Sequence, residues 1–199
     1  MHEYCYSPLS QPNSIRLLRL LAKETDPTNL RCELFEYPLH KTERLCHLYE
    51  AVSYVWGSTD DLQSIIVDNC SLEITRNLYK LLLRLRDDSF PRTLWVDAIC
   101  IDQDKENNES KEYKEKESQI RLMAEIYARA NRVIVWLGDA GDESNLALDA
   151  IQLACKTSKT PSDAKLFEQS KQAISRLLRE HWFRRIWVRK QSLSASTRD

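Results

Sequence analysis

YEAVSYVWG, residues 49–57, is the stretch on which the fold turns. Residues 49–56 are largely apolar and rich in β-branched and aromatic side chains, and Gly57-Ser58 ends the run. That is the profile of a strand buried on both faces, since a half-exposed strand alternates apolar with polar. Two later stretches share it. RTLWVDAICI (92–101) reads as a second buried strand interrupted by Asp97, and VIVWL (133–137) as a third, closed by Gly138. Between the first two, Leu78, Leu81, Leu82 and Leu85 make one apolar stripe, so 76–87 reads as a helix capped by Thr75. Between the second and third, Ile120, Met123, Ile126, Tyr127 and Ala130 repeat the helical spacing. Strand, helix, strand, helix, strand requires crossovers, which predicts an α/β fold with a mostly parallel central sheet flanked by helices.

Working outward, SIRLLRL (14–20) and LRCELFEY (30–37) partly alternate and read as two N-terminal strands around the turn cluster Asp26-Pro27-Thr28-Asn29. SIIVD (64–68) and SLEIT (71–75) flank Asn69-Cys70 as a hairpin. The segment 104–117 is almost wholly charged or polar and reads as an exposed loop running into a solvated helix start. Beyond Gly141 the pattern turns helical, over 144–157 and 162–180. The expected organisation is an N-terminal β extension over 1–48, a core over 49–188 with its C-terminal helical segment, and a divergent, disordered tail over 189–199.

Composition excludes several function classes. A chain of 199 residues with 42% apolar and 30% charged side chains is long enough for a substantial core. A net charge of -1 gives no field toward nucleic acid or an anionic membrane. Only three glycines are present, which argues against a Gly-rich phosphate loop. The longest apolar run, Val133 to Leu137, is far short of the roughly 20 residues that cross a bilayer. Met1-His2-Glu3-Tyr4 does not begin a secretory signal, so the expectation is a cytosolic protein with no membrane span.

The cysteines Cys5, Cys32, Cys46, Cys70, Cys100 and Cys155 are scattered, with no C-x-x-C pair and no metal quartet. Reduced structural thiols are the default reading, and no metal is expected. His40, His47 and His181 have no partner that spacing reveals, although a Cys/His pair can meet in space.

Three blocks in fixed order resemble the fungal heterokaryon-incompatibility (HET) domain: YEAVSYVWG (49–57), LWVDAICIDQ (94–103) continued by ESQIRLMAEIYARANRVIVWLG (117–138), and HWFRRIWV (181–188). The resemblance covers roughly residues 14–188 and implies a module of allorecognition and programmed cell death when unlike fungal cells fuse. It departs from the family in two places. The charged stretch 104–117 looks like an insertion, and after 188 the sequence Arg189-Lys190-Gln191-Ser192 diverges, as in a truncated copy.

The resemblance further implies kinship with Toll/interleukin-receptor (TIR) domains, and hence a TIR-like core. Some TIR domains cleave NAD at the nicotinamide glycosidic bond with one glutamate. Such cleavage builds positive charge on the ribose, which a fixed carboxylate stabilises. On that resemblance NAD is a substrate and no cofactor is required. The family's recurrent Glu four residues before its Gln falls on Glu115, four before Gln119, with Glu117 as the fallback. Both also suit an ordinary solvated face. Ser53, Trp56, Gly57 and Asp102 lie at expected strand ends, where ligands bind in open α/β sheets. Asp97 reads equally as a structural cap or as an ion pair to Arg184 or Arg185. The expected partners are further copies of itself or receptor-like incompatibility proteins. The alternatives to an enzyme are a non-enzymatic self-assembling signalling module and an inactive copy.

Overall fold

The computed structural model describes residues 2–39, 47–103, 111–139, 147–149, 151–152, 171–179 and 181–184. The chain divides into one unit built on residues 1–136 and a second on 137–190. Among the described residues the first contains seven strands: β1 (Ser14–Leu20), β2 (Arg31–Pro38), β3 (His47–Tyr54), β4 (Leu62–Val67), β5 (Cys70–Thr75), β6 (Arg92–Trp95) and β7 (Ala130–Trp136). Its helices are α1 (Arg76–Leu85), the single turn α2 (Asp97–Cys100) and α3 (Lys111–Arg129).

The strands form one sheet in the order β5-β4-β2-β1-β6-β3-β7. Strand β3 runs parallel to both its neighbours, β6 and β7, as the crossovers required. The sheet as a whole is nevertheless mixed, which corrects the expectation of a mostly parallel one and leaves the TIR-like core unsupported. β1 is antiparallel to both β2 and β6, and β4 to β5, while β2 pairs parallel with β4. The physical reason lies in β1 and β2. They insert between the β4–β5 hairpin and the parallel trio, so residues 14–38 are interior to the sheet rather than an appendage.

Local chemistry sets the element ends. In the hairpin, Asp68 and Asn69 both take positive φ (49° and 66°), the geometry a two-residue turn between twisted strands demands. The Thr75 side chain accepts from the Leu78 N–H and caps α1, whose Leu78, Leu81 and Leu82 are buried as the stripe predicted. At the other end Arg86 is buried and donates to the carbonyls of Leu21, Ala22 and Asp26, tying the β1–β2 connection to α1. The Tyr49 hydroxyl donates to the Ile126 carbonyl and that of Tyr127 to the Val52 carbonyl, so α3 is pinned to β3 in both directions.

Two strands differ from expectation. The run 92–101 is strand only to Trp95, because α2 begins at Asp97. Continuing the strand would drive a carboxylate into the core. The run 133–137 is not doubly buried. β7 lies at the end of the sheet order, and Val133 and Val135 are 43% and 41% exposed.

In the second unit, residues 147–149, 151–152 and 171–177 are helical, within the spans expected. A short 3-10 turn covers His181–Arg184, with Trp182 and Phe183 edge to face. The segment 104–110 and the tail 189–199 lie outside the described residues. No described helix is long and apolar enough to cross a membrane.

Glu50, on β3, accepts from Arg92 on β6 at 2.6 Å and from Arg132 on β7, so one carboxylate ties the three parallel strands. Arg92 also donates to the Leu85 carbonyl at the end of α1. Glu50→Gln should lower stability to urea by about 1–3 kcal/mol, because two guanidinium groups lose a charged acceptor. Arg132→Ala, at a side chain 63% exposed, should cost under about 1 kcal/mol. Equal losses in the two variants would count against Glu50 as the shared tie.

Candidate functional site: the carboxyl rim of the parallel strands

The chain reverses or crosses over beyond Tyr54, Trp95 and Trp136, the last residues of β3, β6 and β7. In open α/β sheets this rim is where ligands gather. Trp56 and Gly57 follow β3 there. The Trp56 indole N–H donates to Asp97 Oδ2 at 3.0 Å, and Asp97 Oδ1 accepts the Ala98 N–H at 2.8 Å. Asp97 is therefore held by an indole and by its own helical turn. The side chains of Arg184 and Arg185, once considered as its partners, lie outside the described residues.

Gly57 has φ +82°, and a Cβ there would meet Asn77 Cβ at 3.3 Å. Asn77 is the hub of this corner. Its side-chain amide donates to the Val55 carbonyl, and its oxygen accepts the Trp136 indole N–H at 3.0 Å. The start of α1 is thereby fastened to the ends of both β3 and β7.

Across the α2 turn stands the second half of the rim. Because β1 runs antiparallel to β6, its first residues reach past the end of β6 and lie beside α2. Arg16 Nη1 lies 2.6 Å from Glu115 Oε1, with side chains only 6% and 14% exposed. The same nitrogen is 3.4 Å from the Cys100 carbonyl, Nη2 donates to the Ser7 carbonyl at 2.7 Å, and the guanidinium stacks on the Tyr6 ring at 5.3 Å. Glu115 Oε2 accepts the Leu9 N–H at 3.3 Å. Tyr6 donates its hydroxyl to the Ile99 carbonyl, and burial pushes its phenol well above the usual tyrosine range, so it stays a donor.

The sequence-derived residues are thus spread over the rim and beyond it. Trp56 and Gly57 meet around Asp97 and Asn77, and Glu115 stands across α2 with Arg16. Asp102, half-buried, follows the α2 turn, and its charge is felt by Tyr6. Glu117 is set apart: its side chain is 55% exposed and pairs with Arg121 one helical turn on. Ser53 is buried within β3, in register with Val135. Gln119 is buried too and donates to the Ser14 carbonyl, which anchors α3 a turn after Glu115.

Sequence reasoning missed Arg16, Asn77 and Tyr6. Arg16 had a signal, an arginine at a position that strand alternation makes buried. The other two had none.

Nucleophilic chemistry by Cys32 or Cys100 is disfavoured. Burial pushes both thiols up to about 12, so neither supplies a thiolate near neutral pH. His47 instead meets the Tyr37 hydroxyl at 2.5 Å. Among the described residues no group of three or more His, Cys, Asp and Glu could hold a metal ion.

A family model described as heterokaryon incompatibility protein (HET) matches residues 49–190. The chain belongs to the HET family. It is also 30% identical, over 227 aligned residues, to heterokaryon incompatibility protein 6, OR allele, of Neurospora crassa. That alignment covers 90% of this chain but 32% of the relative, so the chain spans about a third of its length. No solved structure matches. Within the HET match lie β3 from Tyr49 on, β4 to β7, and α1, α2 and α3, whereas β1, β2 and Arg16 precede it.

Gly57→Ala in this HET domain should lose about 1–2 kcal/mol of stability, from the left-handed backbone and the Asn77 contact together. Equilibrium unfolding checks it, and an unchanged midpoint would show that this corner can relax.

Proposed function

We propose that this HET domain executes cell death in fungal heterokaryon incompatibility, and that it acts by hydrolysing NAD with Glu115 as the essential carboxylate. Family membership and the Neurospora crassa relative support the biological role. The observation that carries the chemistry is the position of Glu115, a nearly buried carboxylate paired with Arg16 beside α2 at the carboxyl rim. In the reaction the bond between the ribose C1′ and the nicotinamide nitrogen breaks, and its electron pair stays with nicotinamide. Positive charge then builds on the ribose, where a carboxylate stabilises it. Water adds at C1′ and a proton is released, giving ADP-ribose. No metal, second cofactor or Gly-rich loop is needed. Trp56, Gly57, Ser53 and Asp102 would line the ligand side, with the Trp56 ring offering a flat face to a base. The domain would act in the cytoplasm, triggered by self-association or by receptor-like partners.

A second reading is a non-enzymatic module that kills by assembling with itself. Two observations favour it: Arg16 already neutralises Glu115, and Val133 and Val135 present apolar surface on the terminal strand of the sheet.

Nicotinamide release from NAD by the purified domain at high concentration separates the two. The expected outcome is measurable turnover in wild type, at least about 100-fold less in Glu115→Gln and little change in Glu117→Gln. Thermal unfolding of each variant serves as the control. No release by the folded wild type, even in oligomers, or full activity in Glu115→Gln, would overturn the enzymatic reading and leave assembly.

A further inference from the structure

Residues 2–13 form no strand or helix, yet they reach from one end of the sheet order to the candidate site. The Tyr4 N–H donates to the Ser71 carbonyl and the Ser71 N–H to the His2 carbonyl, both at 2.8 Å, on the terminal strand β5. The chain then places Tyr6 on Ile99 and Arg16, the Ser7 carbonyl on Arg16, and the Leu9 N–H on Glu115. The N–H groups of Ser10 and Gln11 finish the course on Glu36, whose carboxyl they help hold below the usual carboxylate range although burial opposes it. Apart from Tyr4, which packs against the edge of the core and edge to face on Tyr6, these contacts are polar or a ring face. Only Tyr4, Tyr6 and Leu9 are half-buried, and the rest of the segment is exposed. A segment held this way opens locally at much lower cost than the sheet beneath it. It also precedes the block that the HET family model matches.

What the segment holds is specific. It occupies one oxygen of Glu115 directly through Leu9. Through Ser7 and Tyr6 it also holds Arg16, whose guanidinium occupies the other. A cation at contact distance cancels the field that a carboxylate would direct at a developing oxocarbenium ion. A latched segment therefore makes Glu115 both shielded and electrically quenched.

We infer that residues 2–13 are an autoinhibitory strap, which seats Arg16 on Glu115 when latched and frees that carboxylate for substrate when released. The catalytic half of the inference rests on the role proposed for Glu115, whereas the shielding half does not.

The test uses the full chain with Tyr6→Phe, which removes the hydroxyl bonded to Ile99, and Leu9→Pro, which removes the N–H bonded to Glu115, singly and together. Carbodiimide labelling of carboxylates, read by mass spectrometry, reports access to Glu115, with exposed Glu117 as internal reference. The double variant should label Glu115 about tenfold faster than wild type, with Glu117 unchanged and the unfolding midpoint of the sheet retained. Nicotinamide release should rise about as much, and Glu115→Gln placed in the double variant should abolish that rise. Equal labelling of Glu115 in wild type and the double variant overturns the strap. Faster labelling with no release in any variant keeps the strap as a shield and removes the NAD-hydrolysing reading. Faster release with unchanged labelling also overturns the strap, since turnover would then have risen by another route.

Discussion

The arrangement depends first on one carboxylate on the middle strand of the parallel trio. Glu50 lies on β3 in register with Leu94 of β6 and Arg132 of β7, so it can reach arginines on both neighbours. A slip of one residue would turn its side chain to the opposite face and break both ties. Parallel pairing itself is less discriminating, because its hydrogen bonds are evenly spaced along the strand. The ion triad thus supplies register information that a run such as AVSYV lacks. Once the register is set, β3 and β7 end level at Tyr54 and Trp136, while β6 stops opposite Ala51 and the α2 turn carries its chain on toward the same rim.

A second ion pair fixes what that rim contains. Arg16 and Glu115 come from positions 99 residues apart and meet with little exposure to water. Removing two charges from water is costly, and mutual attraction offsets that cost only when further polar groups complete the coordination. Here the Ser7 and Cys100 carbonyls and the Leu9 N–H do so. The pair therefore holds three separate pieces against β1: the N-terminal segment, α2 and the start of α3.

Much of the fold could be read from periodicity, and the failures have distinct causes. The buried strand at 49–56, the strand at 14–20, the 71–75 half of the hairpin and the α1 stripe all announce themselves through local side-chain pattern. The direction of β1 does not, because nothing local to SIRLLRL says whether its neighbours run with it or against it. That choice is made by where β2 and β6 come to lie. The end of β6 was obscured by Val96, Ile99 and Ile101, which are buried whether the backbone is strand or helical turn. Asp97 was the discordant residue there, and it marks the change. At the rim, Trp56 and Gly57 stand within a recognisable block and Glu115 is reached by counting four back from Gln119, whereas Arg16 and Asn77 act through partners distant in sequence that no spacing rule can supply.

The Arg16–Glu115 pair also decides what kind of control the site can use. A carboxylate kept this far from water needs a cation or several donors, so deleting Arg16 would not simply liberate Glu115. It would leave a charge with an uncompensated desolvation cost, and the structure would relax to hydrate it or lose it. Under the proposed reaction Arg16 would have to stay in place until something else takes over the pairing, and the ribose that becomes positive as the glycosidic bond breaks would be such a partner. Loosening must therefore fall on the groups that hold Arg16 rather than on Arg16 itself. Of those groups, the Cys100 carbonyl belongs to α2 and the core. The Ser7 carbonyl and the Tyr6 ring belong to an exposed segment that can move without disturbing the sheet.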